Sequence, residues 1–277
     1  MKKYSVLQLI VLLFIVAQAQ SQQHQLVKKW QTDTILKVPE SVYLDAANKV
    51  LYVANIDGTP DGKDGKGSVG KVGLDGKIIK VDWVSGLNAP KGMGLYQDKL
   101  YVADLDAVVV IDIKTEKLLK RIPVEGAVFL NDITVDKNGI VYVSDSRNKK
   151  VHRIENEKAT LLLENLQGPN GLLSHDDNFY ILDNGVMLRM EKDKQLTKIT
   201  EGMEGGTDGI ENVQGKEFIV SCWAGVIYYV KADGSKEKLL DTRDQKINSA
   251  DIAYDAQNRI LYVPTFYRNS IVAYELK

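Results

Sequence analysis

From Glu40 onward the chain alternates short apolar runs with polar turns, and it repeats one phrase. ESVYLDAANKVLYVAN from Glu40, KGMGLYQDKLYVAD from Lys91 and NDITVDKNGIVYVSD from Asn131 each read as a strand, a polar turn and a second strand. NGLLSHDDNFYILDN from Asn170, DGIENVQGKEFIVSC from Asp208 and ADIAYDAQNRILYVP from Ala250 repeat the phrase. The runs are rich in β-branched and aromatic residues, and helical periodicity is nearly absent, so the pattern predicts an all-β chain. The starts recur at about forty residues, a period typical of four-stranded propeller blades. The first interval is longer because it carries the insertion IDGTPDGKDGKGS, residues 56–68.

Six such units predict a six-bladed β-propeller. The last unit stops after SIVAYEL, one strand short of four, and the segment KWQTDTILKVP ahead of the first unit is expected to supply that strand. Closing the ring with both chain ends in one blade removes an exposed sheet edge. The expected organisation is a signal peptide over 1–19, a leader segment over 20–28 and one propeller domain over 29–277.

In a propeller the start of each inner strand lies at one mouth of the central channel. The repeat register places Glu40, Lys91, Asn131, Asn170, Asp208 and Ala250 around that point. Taken alone, Asn170-Gly171 is a turn signal. In register, four of the six residues offer oxygen: the carboxylates of Glu40 and Asp208 and the amides of Asn131 and Asn170. Hard oxygen donors with two negative charges suit a divalent cation, calcium above all, and the lack of Cys or His in the ring disfavours zinc.

Composition narrows the remaining classes. The formal net charge is −1 and no basic run accumulates, so nucleic acid is not an expected partner. The opening MKKYSVLQLIVLLFIVAQAQSQ has a basic start, an apolar run and the small-x-small triplet Ala17-Gln18-Ala19. That is the anatomy of a secretory signal peptide, and it predicts a periplasmic or secreted protein with no membrane association after cleavage. Cys222 is the sole cysteine and lies in an apolar run, so it reads as a buried, inert thiol and no intrachain disulfide can form. None of His24, His152 and His175 falls at the ring, which disfavours a histidine base or a Ser-His-Asp triad.

The same residues carry a family resemblance. An acid in the first unit, Asn131-Asp132 in NDITVDKNGIVYVSD, Asn170-Gly171 in GPNGLL and Asp208-Gly209 in GTDGIENVQGKEFIVSCWAG resemble the SMP-30/gluconolactonase/LRE-like superfamily. The resemblance implies an axial divalent metal, usually calcium, surrounded by Glu40, Asn131, Asn170 and Asp208. It implies hydrolysis of sugar lactones, organophosphates or related esters, with relatives that include non-hydrolytic enzymes. Two departures argue against gluconolactone itself. Glu40 is followed by Ser41-Val42 where the family often has Gly-Pro, and Phe129 stands where some members carry a sugar-binding arginine.

The expected chemistry is metal-assisted attack of water on a small lactone or ester. Asp208 is the candidate catalytic carboxylate as well as a metal ligand. Lys91, at the mouth, is placed to attract an anionic substrate, and Trp223 and Phe266 to wall the pocket's apolar side. The insertion reads first as a solvated loop and second as a lid. The competing expectation is a non-catalytic propeller that binds its ligand on the top face, with calcium structural or absent.

Overall fold

The structure, a computed structural model, describes residues 24–277. The expected signal peptide and residues 20–23 lie outside the described residues. Six antiparallel four-stranded sheets form the blades. Their inner strands are Pro39–Asp45, Pro90–Tyr96, Leu130–Val135, Pro169–His175, Thr207–Gln214 and Ala253–Asp255. Two 3-10 turns, Arg243–Gln245 and Phe266–Arg268, are the helical segments among the described residues. No helix there is long and apolar enough to cross a membrane.

The sixth blade closes as the repeat count requires, with strand order Leu26–Gln31, Ile271–Leu276, Ile260–Pro264 and Ala253–Asp255. The closing strand therefore draws residues 26–28 from the expected leader and does not extend into TDTILKVP. A bulge between Lys28 and Trp30 in its pairing with Ile271–Leu276 ends with Trp30 packed beside Tyr262. On the channel side, a parallel bridge between Ser41 and Asp251 joins the first blade to the last.

Apolar side chains pack between blades, not within a single sheet. Between the first and second blades, for example, Tyr52, Val69, Trp83 and Leu87 meet Met93, Leu100, Val102 and Ile111. The second strand of the first blade, Val50–Asn55, is buried along its length, whereas outer strands such as Lys117–Pro123 alternate exposed and covered residues. This gradient from centre to rim explains why the inner repeats were the legible part of the sequence. Cys222 lies in one of these inter-blade cores with no exposed surface, and burial pushes its thiol up to about 12.

Candidate functional site

Each of the first five inner strands begins with a residue paired to the end of the second strand. The pairs are Pro39 with Asn55, Pro90 with Asp104, Leu130 with Asp145, Pro169 with Asp183 and Thr207 with Cys222. Immediately afterwards the register breaks in all five blades. The first residues in these bulges are Glu40, Lys91, Asn131, Asn170 and Asp208. A bulge frees a residue from the strand's alternation and re-aims its side chain, here towards the axis.

Three of the second-strand ends hold this geometry. Asp104 accepts from the backbone N–H groups of Asn88 and Ala89, both at 2.9 Å, and Asp183 from those of Gln167 and Gly168 at 2.9 and 2.6 Å. Asp145 does the same for Val128 and Phe129 at 3.0 and 3.3 Å. These aspartates latch the incoming chain to its blade and so fix where the next residues point.

The five bulge residues line one cavity of about 250 Å³, together with Pro60, Phe129, Gly206, Trp223 and Phe266. Every sequence-predicted site residue therefore reaches the same space. The sixth register position, Ala250, is buried beside it against Ile56, Ala89, Leu105 and Phe266. Pro60 brings the insertion to the mouth, and ion pairs from Asp57 to Lys37, Asp61 to Arg147 and Lys63 to Asp106 fasten it at 3.1, 2.9 and 2.6 Å. Sequence reasoning had not assigned Pro60 or Gly206 to the cavity, because neither stands in the repeat register.

Two oxygens in this ring have no hydrogen-bond partner although they are buried: Glu40 Oε2 and Asn170 Oδ1. Asn170 donates its amide to Asp208 Oδ1 at 2.9 Å, and Asn131 donates its amide to Ser146 Oγ at 3.1 Å. Burial, then repulsion from Asp208, holds the Glu40 carboxyl well above its usual range, while Lys91 pulls the other way. Burial and Asp251 likewise raise Asp208, partly offset by the Asn170 amide. Carboxylates raised in this way and oxygens left unsatisfied are what a hard cation would relieve. No group of three or more His, Cys, Asp or Glu side chains with metal-binding spacing occurs among the described residues. A cation here would thus rest on two carboxylates and two amides, a donor set that fits calcium and not zinc.

Below the ring, Asp132 and Asp251 link neighbouring blades. Asp132 accepts from the Leu172 N–H at 2.6 Å, and Asp251 accepts from Ser41 Oγ at 2.6 Å. With Glu211 and Tyr254 they line a second cavity of about 270 Å³ further along the channel. Burial raises Asp132 well above its usual range, aided by Asp251, and lifts Asp251 itself to about 7. Asp132 was visible in the sequence one place after the ring residue, but nothing there showed that it crosses to the next blade.

The histidines stay apart from the ring. His24 pairs with Glu237 at 2.9 Å and stacks on Tyr229, His175 ends an inner strand on the opposite face, and His152 is buried in a third strand.

Neither the protein-family models nor the curated proteins include a match to this chain. Solved structures do resemble it. A candidate gluconolactonase is 13% identical, with a TM-score of 0.67 and 92% of each chain covered. Virginiamycin B lyase from Staphylococcus aureus is 14% identical, with a TM-score of 0.63, covering 92% of this chain and 100% of that one. An auxiliary nutrient binding protein from Bacteroides thetaiotaomicron is 14% identical, with a TM-score of 0.65, covering 87% of this chain and 69% of that one. At such identities the likeness is one of fold.

Proposed function

We propose that this protein is an exported, calcium-dependent hydrolase of a small lactone or related ester, of the SMP-30/gluconolactonase type. The observation that carries the reading is the pair of buried, unpartnered oxygens, Glu40 Oε2 and Asn170 Oδ1, in a ring completed by Asn131 and Asp208. A bound divalent cation would polarise the substrate carbonyl and acidify a water molecule. Glu40, Asn131 and Asn170 would hold the cation. Asp208, oriented by the Asn170 amide, would share in holding it and is placed to accept the proton of the attacking water. Trp223 and Phe266 cover the apolar side of the substrate, and Lys91 its polar end. Export rests on the signal-like start of the sequence.

The test is metal analysis of the mature protein together with a panel of lactones and aryl esters, on wild type and Asp208→Ala. Bound calcium and a turnover that disappears in the variant are expected. No bound divalent metal, combined with no calcium-induced rise in melting temperature, would sink the metal reading. The second reading, a binding protein without catalysis, is favoured by Lys91, whose own positive charge in the ring competes with a metal. Calcium binding without Asp208-dependent turnover on any substrate would select it.

A further inference from the structure

Lys91 is the residue the metal reading leaves unexplained. Its side chain is 1% exposed, yet it stands in the bulge register and lines the cavity. The ammonium makes one hydrogen bond, to Ala89 O at 2.8 Å, and lies 4.5 Å from the centre of the Phe129 ring. Among the described residues no carboxylate oxygen comes within 4.0 Å of it, although twenty-two ion pairs form elsewhere. A buried cation with spare donors and no carboxylate in contact is costly unless something completes it.

Charge counting says what that something is. Glu40 and Asp208 contribute two negative charges to the cavity and Lys91 one positive charge. A divalent cation on those ligands leaves an excess of one positive charge, which one anionic group on the substrate would cancel.

Another part of the lining is aromatic. Phe266 packs edge-to-face on Trp223 at 5.5 Å and on Tyr267 at 4.7 Å, and Trp223 and Tyr267 remain 41% and 57% exposed. Phe266 holds φ at 48°, uncommon for a bulky residue, and its carbonyl accepts from the Asn269 N–H at 3.0 Å. The backbone thus fixes Phe266 against Trp223 in the cavity lining, where they offer a face to an apolar group.

Resting on the proposed hydrolase reading, we infer that the substrate is a carboxylate-bearing ester or lactone with an apolar or aromatic body. Lys91 binds the carboxylate and the Trp223–Phe266 wall binds the body. The cavity volume limits it to a small molecule.

Benzoate and its neutral counterpart benzamide are the probes, titrated calorimetrically into the mature protein at about pH 6.5, where a lysine is charged. The titrations are run with calcium and again with a chelator, on wild type and Lys91→Met, and calcium affinity is measured separately. Wild type should prefer benzoate by about tenfold or more with calcium present, and by less in chelator, where no cation offsets Glu40 and Asp208. In Lys91→Met the preference should fall to about twofold or less, with calcium bound at least as tightly because a positive charge has been removed. Lys91→Gln replaces it if the methionine variant does not fold. No preference in wild type overturns the inference, as does a preference that the Lys91 variants keep. A preference that survives chelation and needs Lys91 upholds it even if calcium fails to bind, which separates its fate from that of the metal site.

Discussion

Gly171 shows how a residue's role changes once its neighbours are known. Asn170-Gly171 reads as a turn in sequence, with glycine chosen for positive φ. In the structure Gly171 is not among the positive-φ residues; instead, a Cβ there would lie 2.2 Å from the Asp208 carbonyl oxygen of the next blade. Gly209 is held to glycine in the same way, its Cβ falling 2.5 Å from Asp251 Oδ1. The glycine after the ring residue lets the blades approach closely at the axis. Gly171→Ala should therefore destabilise by more than about 2 kcal/mol in urea unfolding. Gly168→Ala, where a Cβ would meet only Asn184 Cβ at 3.7 Å, should stay within about 0.5 kcal/mol of wild type. Equal costs would remove the close-packing explanation. At the same scale, Asn170→Ala removes one of the two orphaned oxygens. We expect calcium to raise its melting temperature less than it raises that of wild type, as read by calorimetry.

Among elements, the connection into each inner strand decides where the site points. Asp104 is fully buried and takes two backbone N–H groups, while Arg121 reaches it at 2.6 Å. Asp104→Ala would leave those donors and the guanidinium without their acceptor. A loss of about 3–5 kcal/mol is expected in denaturant unfolding. Because Ala89 O is the Lys91 acceptor, the variant should also weaken benzoate binding; unchanged stability would show that the latch does not hold the turn. The strand and its ending aspartate were legible in YVAD, YVSD and YILD, since alternation and β-branched content mark them. The latch was not, because the N–H groups it accepts come from a loop about fifteen residues earlier whose path only the folded sheet sets.

Across the whole molecule, Glu40, Asp132, Asp208 and Asp251 crowd the axis with their carboxyls raised by burial and, for the first three, by one another. A carboxyl whose folded pKa lies above its unfolded value binds more protons in the folded state. Stability then falls as pH rises from the unfolded value towards the folded one. For Asp251 that window runs from the ordinary 3.8 to about 7. Protein stripped of divalent cations should melt progressively lower as pH rises from about 4 to about 7. Calcium should restore most of the loss at the upper end by neutralising Glu40 and Asp208. A melting temperature that climbs across this range in chelator would contradict the axial repulsion, and an effect of calcium equal at both ends would contradict its link to these acids.

The sequence by itself determined the six units, their strand pattern, the closing of the last blade by an N-terminal strand, and the set of residues that share one register. Strand periodicity and repeat length are local properties, and a closed ring follows from them once one blade is a strand short. What the tertiary structure decided is which atoms in that register are satisfied. Whether Glu40 Oε2 and Asn170 Oδ1 lack partners, and whether Lys91 lacks a carboxylate in contact, depends on contacts between blades. The residues concerned are about forty positions or more apart along the chain. Asn170 was a turn residue in its own segment; the blade after it supplied Asp208, and with it the oriented amide and the oxygen left facing the cavity.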